Sequence, residues 1–161
     1  MSALGAVVFD DQSAASRFCA RLEVLADRDA VGLHDLAVLH RRPDERLTLE
    51  PRPSAHGAFW GLLVGLLLWP RWLGLPAATV DAAAARLDRW RLTPEWADAV
   101  SRGVSPGDVV VLFLVDDLAD ELFAAVRDAP GDLFPLWLGE RTPITLTDTF
   151  GGDSALVDDE V

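Results

Sequence analysis

The chain contains no lysine: its fourteen basic residues are all arginine, set against twenty-six acidic ones, for a formal charge of −12. No basic stripe is available to displace counterions from phosphates, which excludes nucleic acid as a partner. The same charge opposes simple adsorption to anionic lipid. A single cysteine, Cys19, excludes an internal disulfide and a thiol-only metal site. The first residues, Met1 to Phe9, carry no basic flank, and Asp10-Asp11 arrive before an adequate apolar run. No signal peptide is therefore expected, and the location expected is cytoplasmic, with peripheral attachment at the inner face of the membrane as its variant.

Motifs of chemistry are also missing. His34, His40 and His56 show no metal-ligand spacing, and at strand rise His34 and His40 stand roughly 20 Å apart. There is no phosphate loop, dinucleotide fingerprint or nucleophile elbow. Asp10/Asp11 and Asp116/Asp117 are paired carboxylates, but antiparallel strands would put them at opposite ends of a sheet, so each pair reads as a helix start. Cys19 lies on an apolar helical stripe and reads as a small buried hydrophobe. The expectation is a protein that is not an enzyme, with no catalytic residue, no metal site and no cofactor.

What the chain does have is apolar mass. Half of its 161 residues are hydrophobic, enough for one domain with a real core. The densest stretch is Gly57 to Trp69, GAFWGLLVGLLLW, in which Gly57, Gly61 and Gly65 recur at a spacing slightly longer than one helical turn. Each glycine costs roughly 1 kcal/mol against alanine in a helix interior. Three on one face therefore predict close packing along the groove they make. The residues expected to carry an interaction are Gly57, Trp60, Gly61, Val64, Gly65, Leu68, Trp69 and Trp72.

Taken in order, Leu4–Phe9 reads as a buried strand, followed by a helix capped by Asp11 or Ser13 with Ala15, Phe18, Cys19, Leu22 and Leu25 inward. Gly32 suits the end of that connection. Leu36–Leu39 is a second strand. Arg42-Pro43-Asp44-Glu45 is turn chemistry, and Leu47–Glu50 returns as a hairpin arm. Pro51 and Pro53 interrupt before the glycine run. Pro70 ends or kinks that helix, and Pro76 opens an alanine-rich amphipathic one reaching Trp90. Thr93-Pro94-Glu95 starts a further helix that Gly103 stops. After the turn at Ser105–Asp108, Val109–Val115 (VVVLFLV) is the strongest strand in the chain. Asp116-Asp117 reads as the cap of a helix with Leu118, Leu122, Ala125 and Val126 inward. Leu133–Leu138 contains Pro135 and belongs at a sheet edge. Residues 147–161 read as an acidic, solvated tail.

Strand–helix–strand thus occurs twice. The expected fold is α+β, a ferredoxin-like split β-α-β with a four-stranded antiparallel sheet and a helical insertion at about 54–103 between the halves, in one domain of residues 1–146. LGAVVF and VVVLFLV hardly alternate, so both sheet faces should be covered, by the insertion or by another subunit.

Val7-Val8-Phe9-Asp10-Asp11, the glycine run from Gly57 to Leu67, and Ser105-Pro106-Gly107-Asp108-Val109 before Phe113-Leu114-Val115 together resemble a bacterial domain-of-unknown-function family of small proteins described as membrane proteins. Its members have two ferredoxin-like halves flanking a glycine-rich helical hairpin. The resemblance implies that fold and no catalytic residues. In this chain the second hairpin helix is alanine-rich where the family's is glycine-rich.

The function expected is non-enzymatic: a structural or interaction protein that forms a homo-oligomer, or packs on a protein partner, through the glycine zipper and an apolar sheet face. A membrane-associated protein, interfacial or re-entrant, is the second reading. Thirteen helical residues rise roughly 20 Å, short of the roughly 30 Å hydrocarbon core. A small-ligand-binding ferredoxin-like protein, with its pocket between sheet and insertion, is the third.

Overall fold

The computed structural model describes residues 2–44, 46–52, 60, 63–74, 92–117 and 119–138. The expected helix at Pro76–Trp90, together with Gly57, Gly61, His56 and the acidic tail, lies outside the described residues. The fold is α+β. Strands β1 (Ser2–Phe9), β2 (Leu33–Arg41), β3 (Leu47–Arg52), β4 (Val109–Val115) and β5 (Asp132–Leu138) form one antiparallel sheet in the order β3-β2-β4-β1-β5. Helices α1 (Gln12–Asp27), α2 (Trp69–Trp72), α3 (Pro94–Gly103) and α4 (Asp120–Asp128) accompany it, with a π-helical stretch at Val64–Leu68 running into α2.

The sheet has five strands rather than four. The hairpin arm pairs along β2 from Leu47↔Arg41 to Arg52↔Leu36 and does not stop at Pro51. Proline is tolerated there because β3 is an edge, where an amide can go without a ladder partner. At the other edge, β5 carries Pro135, as its sequence predicts.

All seven residues of β4 are buried, because the central strand has a core on each side. On one face, Val109, Val111, Phe113 and Val115 join Ala3, Val7 and Phe9 of β1 under α1 and α4, which contribute Ala15, Phe18, Cys19, Leu22, Leu122 and Ala125. On the other face, Val110, Leu112 and Leu114 join Leu4, Ala6, Ala37 and Leu39 beneath Trp60, Leu63, Val64, Leu68, Trp96, Ala97 and Val100. The chain therefore covers its second sheet face with its own inserted segment. Each large side chain buried there contributes about 1.5–3 kcal/mol.

Local chemistry explains most of the helix ends. Asp11 accepts hydrogen bonds from the Ser13 and Ala14 amides at 3.2 and 3.3 Å, which makes it the N-cap of α1. Helix α1 ends at Asp27, with Arg28 as its C-cap. Asp29 takes the left-handed conformation (φ 58°), which Asp and Asn tolerate better than most side chains. The amide of Ala30 then closes on the Leu25 carbonyl at 2.9 Å. The expected cap of α4 is a correction. This helix begins at Asp120, its N-cap is Ala119 with no side-chain hydrogen bond, and Asp116 is engaged elsewhere, by His34. Asp11→Ala should accordingly lower stability by about 1 kcal/mol, whereas Asp117→Ala should stay within about 0.5 kcal/mol of the parent in urea denaturation.

Candidate functional site

The inserted layer is built on a stretch with no charged residue between Arg52 and Arg71. Its described part begins at Trp60, which is fully buried, and Leu63, Val64 and Leu68 continue the same inward surface. Pro70 does not end the helix. It lacks an amide hydrogen, and its ring would press on the carbonyl four residues earlier. The preceding turn is instead widened: the Trp69 amide donates to the Val64 carbonyl, five residues back, and α2 follows directly. Gly74, with φ at 67°, closes the element in the left-handed conformation.

Polar contacts as well as burial hold this layer in place. Arg71 is turned inward, its side chain 8% exposed, and its Nε donates to Asp98 Oδ1 of α3 at 2.6 Å. The Trp72 indole donates to the Ser101 carbonyl at 2.9 Å. The guanidinium of Arg41 lies 5.1 Å over the Trp72 ring and donates to the Val104 carbonyl at 2.6 Å, tying β2 to the end of α3. Trp96 anchors α3 at both levels: its backbone amide donates to the Thr93 cap, and its indole donates to the Phe134 carbonyl of β5. The expected start of α3, with Thr93 as cap, Pro94 in the first turn and Gly103 at the end, is therefore observed.

The residues expected to carry an interaction divide by face. Trp60, Val64 and Leu68 are buried against the sheet. Trp72 is half-buried in the contacts to Arg41 and Ser101. Trp69 and Leu73, four apart, lie on the outer surface, and Gly65, four residues before Trp69, is half-buried. No described residue comes within 4 Å of where a side chain at Gly65 would begin. Trp69 and Leu73 are 46% and 55% exposed. Gly57 and Gly61 fall outside the described residues. Arg71, the nearest charge, is already paired with Asp98, so the described outer surface is apolar without a charged rim of its own.

The titratable residues are scattered. His34 sits at a register shift in β2 and its Nε2 meets Asp116 Oδ1, both partly exposed. His40 lies six residues further along the strand, opposite Thr48 of β3. Cys19 is buried in the core under α1. Among the described residues, no group of three or more His, Cys, Asp or Glu side chains could hold a metal ion. Among them, too, no helix is long and apolar enough to cross a membrane. Between sheet and insertion, where a ligand pocket was one expectation, the described residues Trp60, Leu63, Val64, Leu68, Trp96, Ala97 and Val100 are buried in one core with the strands.

Sequence reasoning missed two long-range features. One is the contact of His34 with Asp116, which no local motif announces. The other is Gly5, inside β1, which lies directly under the ring of Phe113. A glycine within a strand is a signal for close approach of another group.

Compared with known proteins, the chain matches no family, no curated protein and no solved structure.

Proposed function

We propose that this protein is a non-enzymatic structural module that self-associates through the outer surface of its inserted helix, centred on Gly65, Trp69 and Leu73. The observation that carries this reading is the exposure of Trp69 and Leu73 beside an unobstructed Gly65 on an uncharged segment. The rest of the fold supports it by elimination. Both sheet faces are covered by the chain's own helices. Both edge strands carry a proline, Pro51 and Pro135, which discourages pairing with another strand. A helix face with little side chain at its centre permits a close helix–helix approach.

The architecture is read as a ferredoxin-like split β-α-β with one added edge strand. Setting β3 aside, the order β2-β4-β1-β5, with α1 and α4 on one face, supports that reading. It agrees with the likeness to the domain-of-unknown-function family with a glycine-rich insertion. Peripheral membrane association is the second reading, favoured by the exposed Trp69, since tryptophan suits a lipid–water interface.

Sedimentation of the full chain separates the two. The wild-type protein should sediment as a dimer or larger species, and more completely at higher salt, because screening weakens repulsion between copies of net charge −12. Gly65→Leu and Trp69→Glu should each yield a monomer that still melts cooperatively, since nothing packs where a side chain at Gly65 would begin and Trp69 is 46% exposed. A wild-type protein that remains monomeric throughout would overturn self-association. Flotation with zwitterionic vesicles, lost in Trp69→Glu, would favour the membrane reading.

A further inference from the structure

On the sheet face opposite the inserted layer, α1 and α4 leave a groove of about 160 Å³ between them. We propose that this groove binds a small monocarboxylate with a compact apolar body, the carboxylate held by Arg17. Its floor is apolar and buried, made of Ala14, Phe18 and Ala125, and the two alanines leave unfilled the space that longer side chains would take. Its volume is close to the roughly 150 Å³ that accommodates a benzene ring.

The rim is asymmetric. Arg21 of α1 pairs across the groove with Asp128, the last residue of α4, at 2.8 Å. Arg17 stands one turn earlier on the same side of α1 and forms no ion pair or hydrogen bond with another described side chain. Two arginines four apart repel each other, and only one of them is neutralised. An arginine fork matches a carboxylate in charge and in shape. Asp128 at the same rim disfavours a dianion such as phosphate, and the alanine and phenylalanine floor calls for an apolar body behind the charge.

This inference is independent of self-association, which uses the other side of the molecule. The test is a titration of the full-length, isotope-labelled protein with benzoate, followed by amide chemical shifts, with benzamide as the uncharged control. Benzoate should produce saturable shifts at Ala14, Phe18 and Ala125 and bind at least tenfold more tightly than benzamide. Arg17→Gln, at an exposed position, should weaken benzoate about tenfold while leaving benzamide unchanged. Ala14→Leu should fill the groove and abolish both; should that variant fold poorly, Arg17→Gln still decides. Equal binding of benzoate and benzamide, an Arg17→Gln protein that binds benzoate like the parent, or no saturable shift would each overturn the assignment.

Discussion

Gly5→Val is expected to destabilise the protein more than any surface change, by the upper end of the overpacking range or beyond, roughly 3 kcal/mol or more. Gly5 pairs with Phe113 across the two central strands, and Phe113 is fully buried. A Cβ at position 5 would fall on the far end of that ring, against Cζ and 2.9 Å from Cε1. The ring has little room to retreat. Phe18 lies over it with centroids 6.5 Å apart, and Phe9 backs Phe18 at 5.5 Å. Stabilities of small domains run about 5–15 kcal/mol, so a loss of this size is a large share of the total. The mechanism can be isolated with Gly5→Ala and Phe113→Leu. Each should be destabilising alone, one by crowding and the other by leaving a cavity. Together they should cost less than their sum by roughly 0.5–3 kcal/mol, the usual coupling between residues in contact. Strictly additive values in urea denaturation would show that Phe113 is not what limits position 5.

Trp60→Ala should cost roughly 3–5 kcal/mol, the usual range for removing a buried tryptophan. Trp60 is the largest of the fully buried side chains and belongs to the layer that covers the second sheet face. Its removal takes away both transferred area and the contacts that seat the insertion beside Leu63, Val64 and Leu68. Trp69 supplies the control. It lies nine residues along the same apolar segment yet is 46% exposed, so Trp69→Ala should cost the monomer clearly less than Trp60→Ala does. Equal losses from the two variants would mean that the inserted layer is seated differently from the arrangement described.

Features set by a few neighbouring residues were legible in the sequence. The cap at Asp11, the start of α3 at Thr93-Pro94 and the turn at Ser105–Asp108 all rest on interactions within three or four positions, and Pro135 marked β5 for a sheet edge because it has no amide hydrogen to give a ladder. The same local reasoning misassigned Asp116-Asp117, because a carboxylate pair before a helix can cap it or turn elsewhere. Here Asp116 meets His34, eighty-two residues away in the chain. Likewise Pro70 marked a break in the helix, but not that the break would be absorbed as a widened turn.

The candidate surfaces divide along the same line. Apolar runs without alternation already required two covered sheet faces, since a strand buried on both sides has no reason to alternate. The glycine run already required something unusual about the inserted helix. Which side of that helix meets the sheet was decided only in three dimensions, where Trp60, Val64 and Leu68 turn inward and Trp69 and Leu73 turn out. The groove of Arg17 and Arg21 was equally out of reach, because it needs α4 to arrive beside α1 and place Asp128 against only one of the two arginines. Composition and spacing determine which residues must be buried and where segments begin and end, through forces that act within a turn or a strand pair. The choice of neighbour belongs to the tertiary structure, because it depends on how distant faces match in shape and charge once the chain has closed.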